Sequence, residues 1–144
     1  MVKMMRRMAK RMVKKINVSS VLSPEFKESQ SISSRSHIAH ARQAIEEAAV
    51  KGAQLVLLLE IWNSPYSNDS FPVYAEDIDA GGDTSPSTAM LSEGSRCLKI
   101  TIVGGSMPER WGHNLYNTCV FGTDGKLKAK HQRFTILILI FLGR

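Results

Sequence analysis

The sequence predicts an α/β layered fold, a sheet of buried strands with helices laid against it. Three observations carry that reading: an apolar stripe at helical spacing from Ile38 to Ala49, the apolar run Gln54 to Leu59 directly after it, and a second helix-then-strand pair ending at Ile100 to Val103. At 144 residues, 43% hydrophobic and 22% charged, the chain is in the globular range, and one domain is the upper limit.

Taken in order, Ser36 can cap the first helix, whose stripe is Ile38, Ala41, Ala44, Ile45, Ala48 and Ala49, and Lys51 with Gly52 supplies the basic-then-glycine stop. The strand Gln54 to Leu59 follows, with Glu60 at its C-terminal end. From Trp62 to Asp83 the chain is dense in Asn, Ser, Pro, Asp and Gly, too long for a simple connector and therefore a candidate binding loop. Ser85 and Pro86 open the second helix, with proline at the first helical position where its missing N–H costs nothing, and the helix runs to about Leu98. Ile100 to Val103 is a strand closed by Gly104 and Gly105. Leu115 to Phe121 pairs with Lys126 to Lys130 across the turn Thr123, Asp124, Gly125.

Charge divides the chain unequally. Seven of the 19 Lys and Arg residues fall in the first 15 positions, before the first acid, Glu25, whereas the remainder carries a net charge of −1. The overall +6 thus describes a tail, and no nucleic-acid partner is expected. Residues 1–16 place Met1, Met5, Met8, Met12 and Ile16 at helical spacing among basic residues, an amphipathic pattern that suits import machinery, an anionic membrane surface or a calmodulin groove, and equally a solvated extension. As a presequence it would direct the chain to a mitochondrion or plastid; otherwise the chain is cytoplasmic. Residues 17–35 read as a Ser-rich linker, residues 36–133 as the folded domain, and residues 134–144 as an atypical apolar end. The longest apolar run, Ile136 to Leu142, is far short of the roughly 18 residues of a membrane span.

The chemistry-bearing residues are few. Cys97 and Cys119 lack metal-ligand spacing and fit free thiols. His37, His40, His113 and His131 read as surface or capping residues, so no metal is expected, and with no phosphate-binding glycine motif no cofactor is expected either. Glu60 alone reads as a solvated strand-end carboxylate. Its place at the end of a buried strand would also suit an acid or base.

The residue strings go further than composition. IAHARQAIEEAAVKGAQLV, EIWNSPYSNDSFPVYAEDIDAGGDTSPSTAMLSE, KITIVGGSMPER, LYNT and GTDGKLKAKH resemble, in order and spacing, the nitrilase superfamily of carbon–nitrogen hydrolases and its omega-amidase branch. The resemblance implies the N-terminal half of an α-β-β-α sandwich, preceded here by the basic tail. It implies deamidation of 2-oxoglutaramate or 2-oxosuccinamate, small dicarboxylic monoamides, by a Cys nucleophile, a Glu general base and a Lys that stabilises the oxyanion. Glu60 falls at the family's general-base position, and the Trp62 to Asp83 loop at its acid-binding pocket. A homo- or hetero-oligomer is implied as well.

Departures from the family pattern qualify the activity. Arg133 stands where the family has its catalytic lysine, and arginine is bulkier, planar and unable to release its proton. Beyond Arg133 the pattern gives way to FTILILIFLGR, and neither Cys97 nor Cys119 falls at the nucleophile's position. Leu59 replaces a proline before Glu60, YNTCVFG is one residue shorter than usual, and the family's first strand survives at most as a poor remnant around Ile16, Val18 and Val21. The expectation is a chain of omega-amidase descent that does not turn over by itself. The alternative is a non-catalytic fragment or regulatory partner of a full-length homologue.

Overall fold

A helix forms where apolar residues recur every third or fourth position, and a computed structural model, which describes residues 18–20 and 34–133, places the first one, α1, at Ser34–Val50. It begins two residues before the expected cap, and Ser36 lies within it, its carbonyl accepting from His40 Nδ1 at 2.9 Å. Ile45 and Ala48 are buried and Ile38, Ala41 and Ala49 pack beside them, which is the stripe read from the sequence. Gly52, at φ 88°, ends the helix in the left-handed conformation that only glycine adopts freely.

Five strands form one sheet in the order β1-β2-β3-β4-β5: β1 Val18–Ser20, β2 Leu55–Leu57, β3 Thr101–Trp111, β4 Asn114–Thr123 and β5 Lys126–Arg133. β1, β2 and β3 run parallel, and β3, β4 and β5 are antiparallel neighbours. Two expectations change here. Val18–Ser20, inside the stretch read as a linker, is a short strand that pairs in register with all of β2. And β3 does not close at Gly104 and Gly105 but continues to Trp111, its register with β4 slipping by one residue between Val103 and Ser106. That slip is a β-bulge. A second irregularity lies between Phe121 and Gly122 against β5, in the strand that is one residue short.

Helix α2, Phe71–Tyr74, and a 3₁₀ turn, Gly82–Thr84, interrupt the long loop, and α3 occupies Pro86–Leu98 as expected. α1 and α3 cover one face of the sheet, where Ile45, Met90 and Leu91 meet Val56, Ile102, Met107 and Val120. Each such side chain contributes about 1.5–3 kcal/mol by leaving water. The opposite face, carrying the aligned Leu57, Val103 and Phe121, is only half-buried. His37, expected at the surface, is buried, its ring edge-on to Tyr74 with centroids 6.0 Å apart. The readings of residues 1–16 and 134–144 lie outside the described residues.

Candidate active site

Where β2 ends, the chain makes a tight turn held against the β3 bulge. The Leu59 carbonyl accepts from Ser106 N at 3.2 Å, Ile61 N donates to Ser106 Oγ at 3.1 Å, and Trp62 Nε1 donates to the Gly104 carbonyl at 2.6 Å. Ile61 sits at φ 52°, a conformation that a β-branched residue adopts only when its surroundings force it. Gly105, at φ 56°, comes so close that a Cβ there would lie 2.0 Å from the Leu59 carbonyl oxygen. Three hydrogen bonds and one close approach therefore fix the backbone on both sides of Glu60.

The Glu60 side chain reaches to the half-buried sheet face, where Asn117 Nδ2 of β4 donates to its Oε1 at 2.9 Å. Asn117 is buried. Its partner across the ladder is Arg133, the last described residue of β5, and cross-strand partners project on the same face. Asn117 thus binds the Glu60 carboxylate and is paired in register with residue 133, whose side chain is exposed. Lys130, the nearest lysine, serves the other face: its ammonium is bound to Asp79 and, at 2.7 Å, to Glu109, which also accepts from Thr118 Oγ1 at 2.6 Å and Gln132 Nε2 at 2.8 Å. Burial works against the charge on Lys130, but the two carboxylates outweigh it and hold its pKa above the ordinary value.

The long loop is built around a second buried acid, Glu76. Its carboxylate collects Ser85 Oγ at 2.9 Å, Ser87 N at 3.1 Å, Ser87 Oγ, and Asn63 Nδ2 at 3.3 Å. It thereby satisfies the N-terminus of α3, where Ser85 makes no side-chain cap. The Glu76 backbone lies along β3, its N–H to the Pro108 carbonyl at 3.1 Å and its carbonyl accepting from Arg110 N at 2.9 Å. Within the loop read as a binding pocket, this acid is committed to holding the loop in place.

Of the cysteines, Cys97 is exposed on α3, away from Glu60. Cys119 shares the Asn117 face of β4, opposite His131, and burial pushes its thiol above the ordinary range, the opposite of what an attacking thiolate needs. Sequence reasoning missed Asn117, Ser106 and Glu109. Asn117 lies in the quoted LYNT string, and alternation along β4 would have set it on the face opposite Thr118.

Residues 30–139 match the carbon-nitrogen hydrolase family. The chain belongs to that family. An omega-amidase of Arabidopsis thaliana, described as chloroplastic, is 71% identical over 109 residues, covering 75% of this chain and 30% of that protein. An omega-amidase of Xenopus tropicalis is 46% identical over 105 residues, covering 72% of this chain and 36% of that protein. Among solved structures, Saccharomyces cerevisiae Nit3, a member of branch 10 of the nitrilase superfamily, superposes with a TM-score of 0.65 at 36% identity, over 72% of this chain and 40% of that one. This carbon-nitrogen hydrolase chain spans about a third of the length of the two omega-amidases. Its nitrilase-like α/β fold is the one that the sequence implies.

Proposed function

We propose that residues 36–133 carry the general-base portion of an omega-amidase site, acting on small dicarboxylic monoamides such as 2-oxoglutaramate, with Glu60 as base and position 133 as the oxyanion-stabilising cation. The observation that supports this reading is the Asn117 contact, since Asn117 binds the Glu60 carboxylate and is the register partner of residue 133 on the neighbouring strand. In the chemistry that the family implies, a cysteine thiolate attacks the amide carbon, Glu60 accepts the thiol proton and passes it to the departing ammonia, and Glu60 then activates the water that releases the 2-oxo acid. A guanidinium at 133 supplies charge to the oxyanion but in a planar fork rather than a point, so the fit is poorer than lysine's.

Neither cysteine of the chain suits the nucleophile's role, so the 144-residue polypeptide by itself is expected to release no ammonia from 2-oxoglutaramate. A chimera tests the reading: residues 1–133 joined to the remaining C-terminal portion of the Arabidopsis omega-amidase. The chimera should turn over, Arg133→Lys should raise kcat, and Glu60→Gln should lower it about 10²–10⁴-fold. Undiminished turnover in Glu60→Gln would overturn the assignment.

The half-buried apolar face favours a second reading, in which the chain acts by pairing with a full-length homologue. Co-purification with that homologue, lost on Val103→Asp, would support it. The basic tail fits a plastid presequence, in keeping with the chloroplastic relative. A fluorescent fusion of residues 1–36 should enter plastids, and a diffuse signal unchanged on neutralising Arg6, Arg7, Lys10 and Arg11 would remove that role.

A further inference from the structure

The hairpin of β4 and β5 changes step once. Beside the turn Thr123 pairs with Lys126 and Gly122 with Leu127, but Phe121 then pairs with Ala129, and the shifted register holds as far as Asn117 with Arg133. Lys128 is therefore the extra residue of a β-bulge. Without the bulge, the pairing that starts at the turn would run on unbroken: Cys119 would face Lys130, Asn117 would face Gln132, and residue 133 would face Tyr116. Side chains alternate along a strand, so this one-residue difference exchanges the two faces for every residue beyond the bulge. Lys130 and Gln132 would then stand on the Glu60 face, and residue 133 on the face that the helices cover.

Apolar packing does not choose between the two registers, because only Lys130 and Gln132 of β5 are half-buried and the rest of the strand is exposed. Both of those side chains donate to Glu109, which is 1% exposed, and the Lys130 ammonium is shared with Asp79. Gln132 reaches Glu109 over its own small partner Thr118. In the unbroken register Ala129 and His131 would take the places of Lys130 and Gln132. Arg133 would stand across Tyr116 from Glu109, with that bulky ring in the row between them. The buried carboxylate would lose its ammonium, a costly outcome in the interior.

From this we infer that Glu109 is a positioning residue of the site: by capturing Lys130 and Gln132 it selects the bulged register of β5 and so sets residue 133 on the Glu60 face. The inference rests on the reading of Glu60 and position 133 as the base and the cation.

Cys119, directly across from His131, supplies the test. Opposed residues of an antiparallel pair have Cα atoms about 4.5–5.5 Å apart, within the span of a disulfide, whereas residues one step out of register project on opposite faces. In the full 144-residue chain carrying Cys97→Ser and His131→Cys, diamide should close a disulfide between Cys119 and position 131, read by peptide mass spectrometry. Adding Glu109→Met should lower its yield about tenfold or more, as loss of one charge-assisted and one neutral hydrogen bond allows. Deleting Lys128 as well should restore the yield, because unbroken pairing from the turn then brings position 131 opposite Cys119 by itself. An undiminished yield in Glu109→Met overturns the inference. So does a yield that falls and is not recovered on deleting Lys128, since the loss is then one of folding rather than of register. Absence of the disulfide before Glu109 is changed overturns it too, because the bulged register is then not the one held. The disulfide reads register without turnover, so this result and that of Glu60→Gln in the chimera can fail independently.

Discussion

Lys130 places its ammonium 2.7 Å from Glu109, a carboxylate that is 1% exposed, on the sheet face opposite Glu60. One strand, β4, lies between the partners, and its Thr118 donates to the same carboxylate. This pair commits the lysine three residues before position 133 to a buried carboxylate. Its bonds to Glu109 and Asp79 hold it on the face opposite Glu60.

Breaking that pair from one side should cost more than removing it. Lys130→Met leaves Glu109 with only neutral donors and is expected to lower stability by about 2 kcal/mol, discounted because the lysine is partly exposed. The double variant Lys130→Met/Glu109→Met should lose less than the sum of the two single variants. Additive losses in urea unfolding would show that the two groups are not coupled.

Much of this arrangement was legible in the sequence, for identifiable reasons. Pro86, Gly52 and the stripe through Ile45 are local signals, and the helices form where they point. Glu60 at the end of an apolar strand reads by itself as a solvated carboxylate, and only the resemblance to the nitrilase superfamily singled it out. Gly104 and Gly105 misled because a glycine pair reads as a stop, whereas here it makes a bulge whose geometry depends on the turn at Leu59. Val18–Ser20 has too few apolar residues to announce a strand and is one because β2 offers its edge. Asn117, Glu76 and Glu109 are polar residues in a layer where polarity suggests solvent, and their partners come from distant segments that local pattern does not reveal.

The two thiols should differ in reactivity. Burial raises the pKa of Cys119 and keeps it protonated at pH 8, while Cys97 is exposed on its helix. Iodoacetamide at pH 8 should therefore alkylate Cys97 first, by at least about tenfold in rate given thiolate and access together. Faster labelling of Cys119 would mark it as an activated thiol and reopen its candidacy as a nucleophile.

His37 should make stability fall in mild acid. Burial first, and the neighbouring charge of His40 second, hold its pKa below the ordinary 6.5. Below pH 6.5 the unfolded chain therefore binds a proton that the folded chain refuses, and stability drops as pH falls through that value toward the folded pKa. The contribution is complete above pH 6.5. Replacing His37 by Phe, which keeps the ring against Tyr74, should flatten the stability profile between pH 7.5 and 5.5 relative to the parent. An unchanged slope in urea midpoints would show that His37 is protonated alike in both states.

The sharpest contrast lies between two glycines of β3 and its following turn. Gly105 and Gly112 have nearly the same backbone, φ 56° and 60°, so an alanine pays a similar conformational penalty at either, about 1 kcal/mol. Their surroundings differ. Around Gly112 a Cβ meets nothing within 4 Å, whereas at Gly105 it meets the Leu59 carbonyl oxygen at 2.0 Å and the Leu58 carbonyl oxygen at 2.7 Å. Backbone cannot rotate away as a side chain can, so Gly105→Ala must move the turn that carries Glu60 or unfold the end of β2. The expected loss is about 3 kcal/mol or more for Gly105→Ala against about 1 for Gly112→Ala. In the chimera, Gly105→Ala should also lower kcat about a hundredfold at a temperature where the protein remains folded, since a displacement of about 1 Å at a reacting group costs that much. Gly112→Ala should leave kcat unchanged. Equal stability losses for the two variants, with kcat retained in both, would show that the close approach of the bulge to Leu59 does not set the position of Glu60.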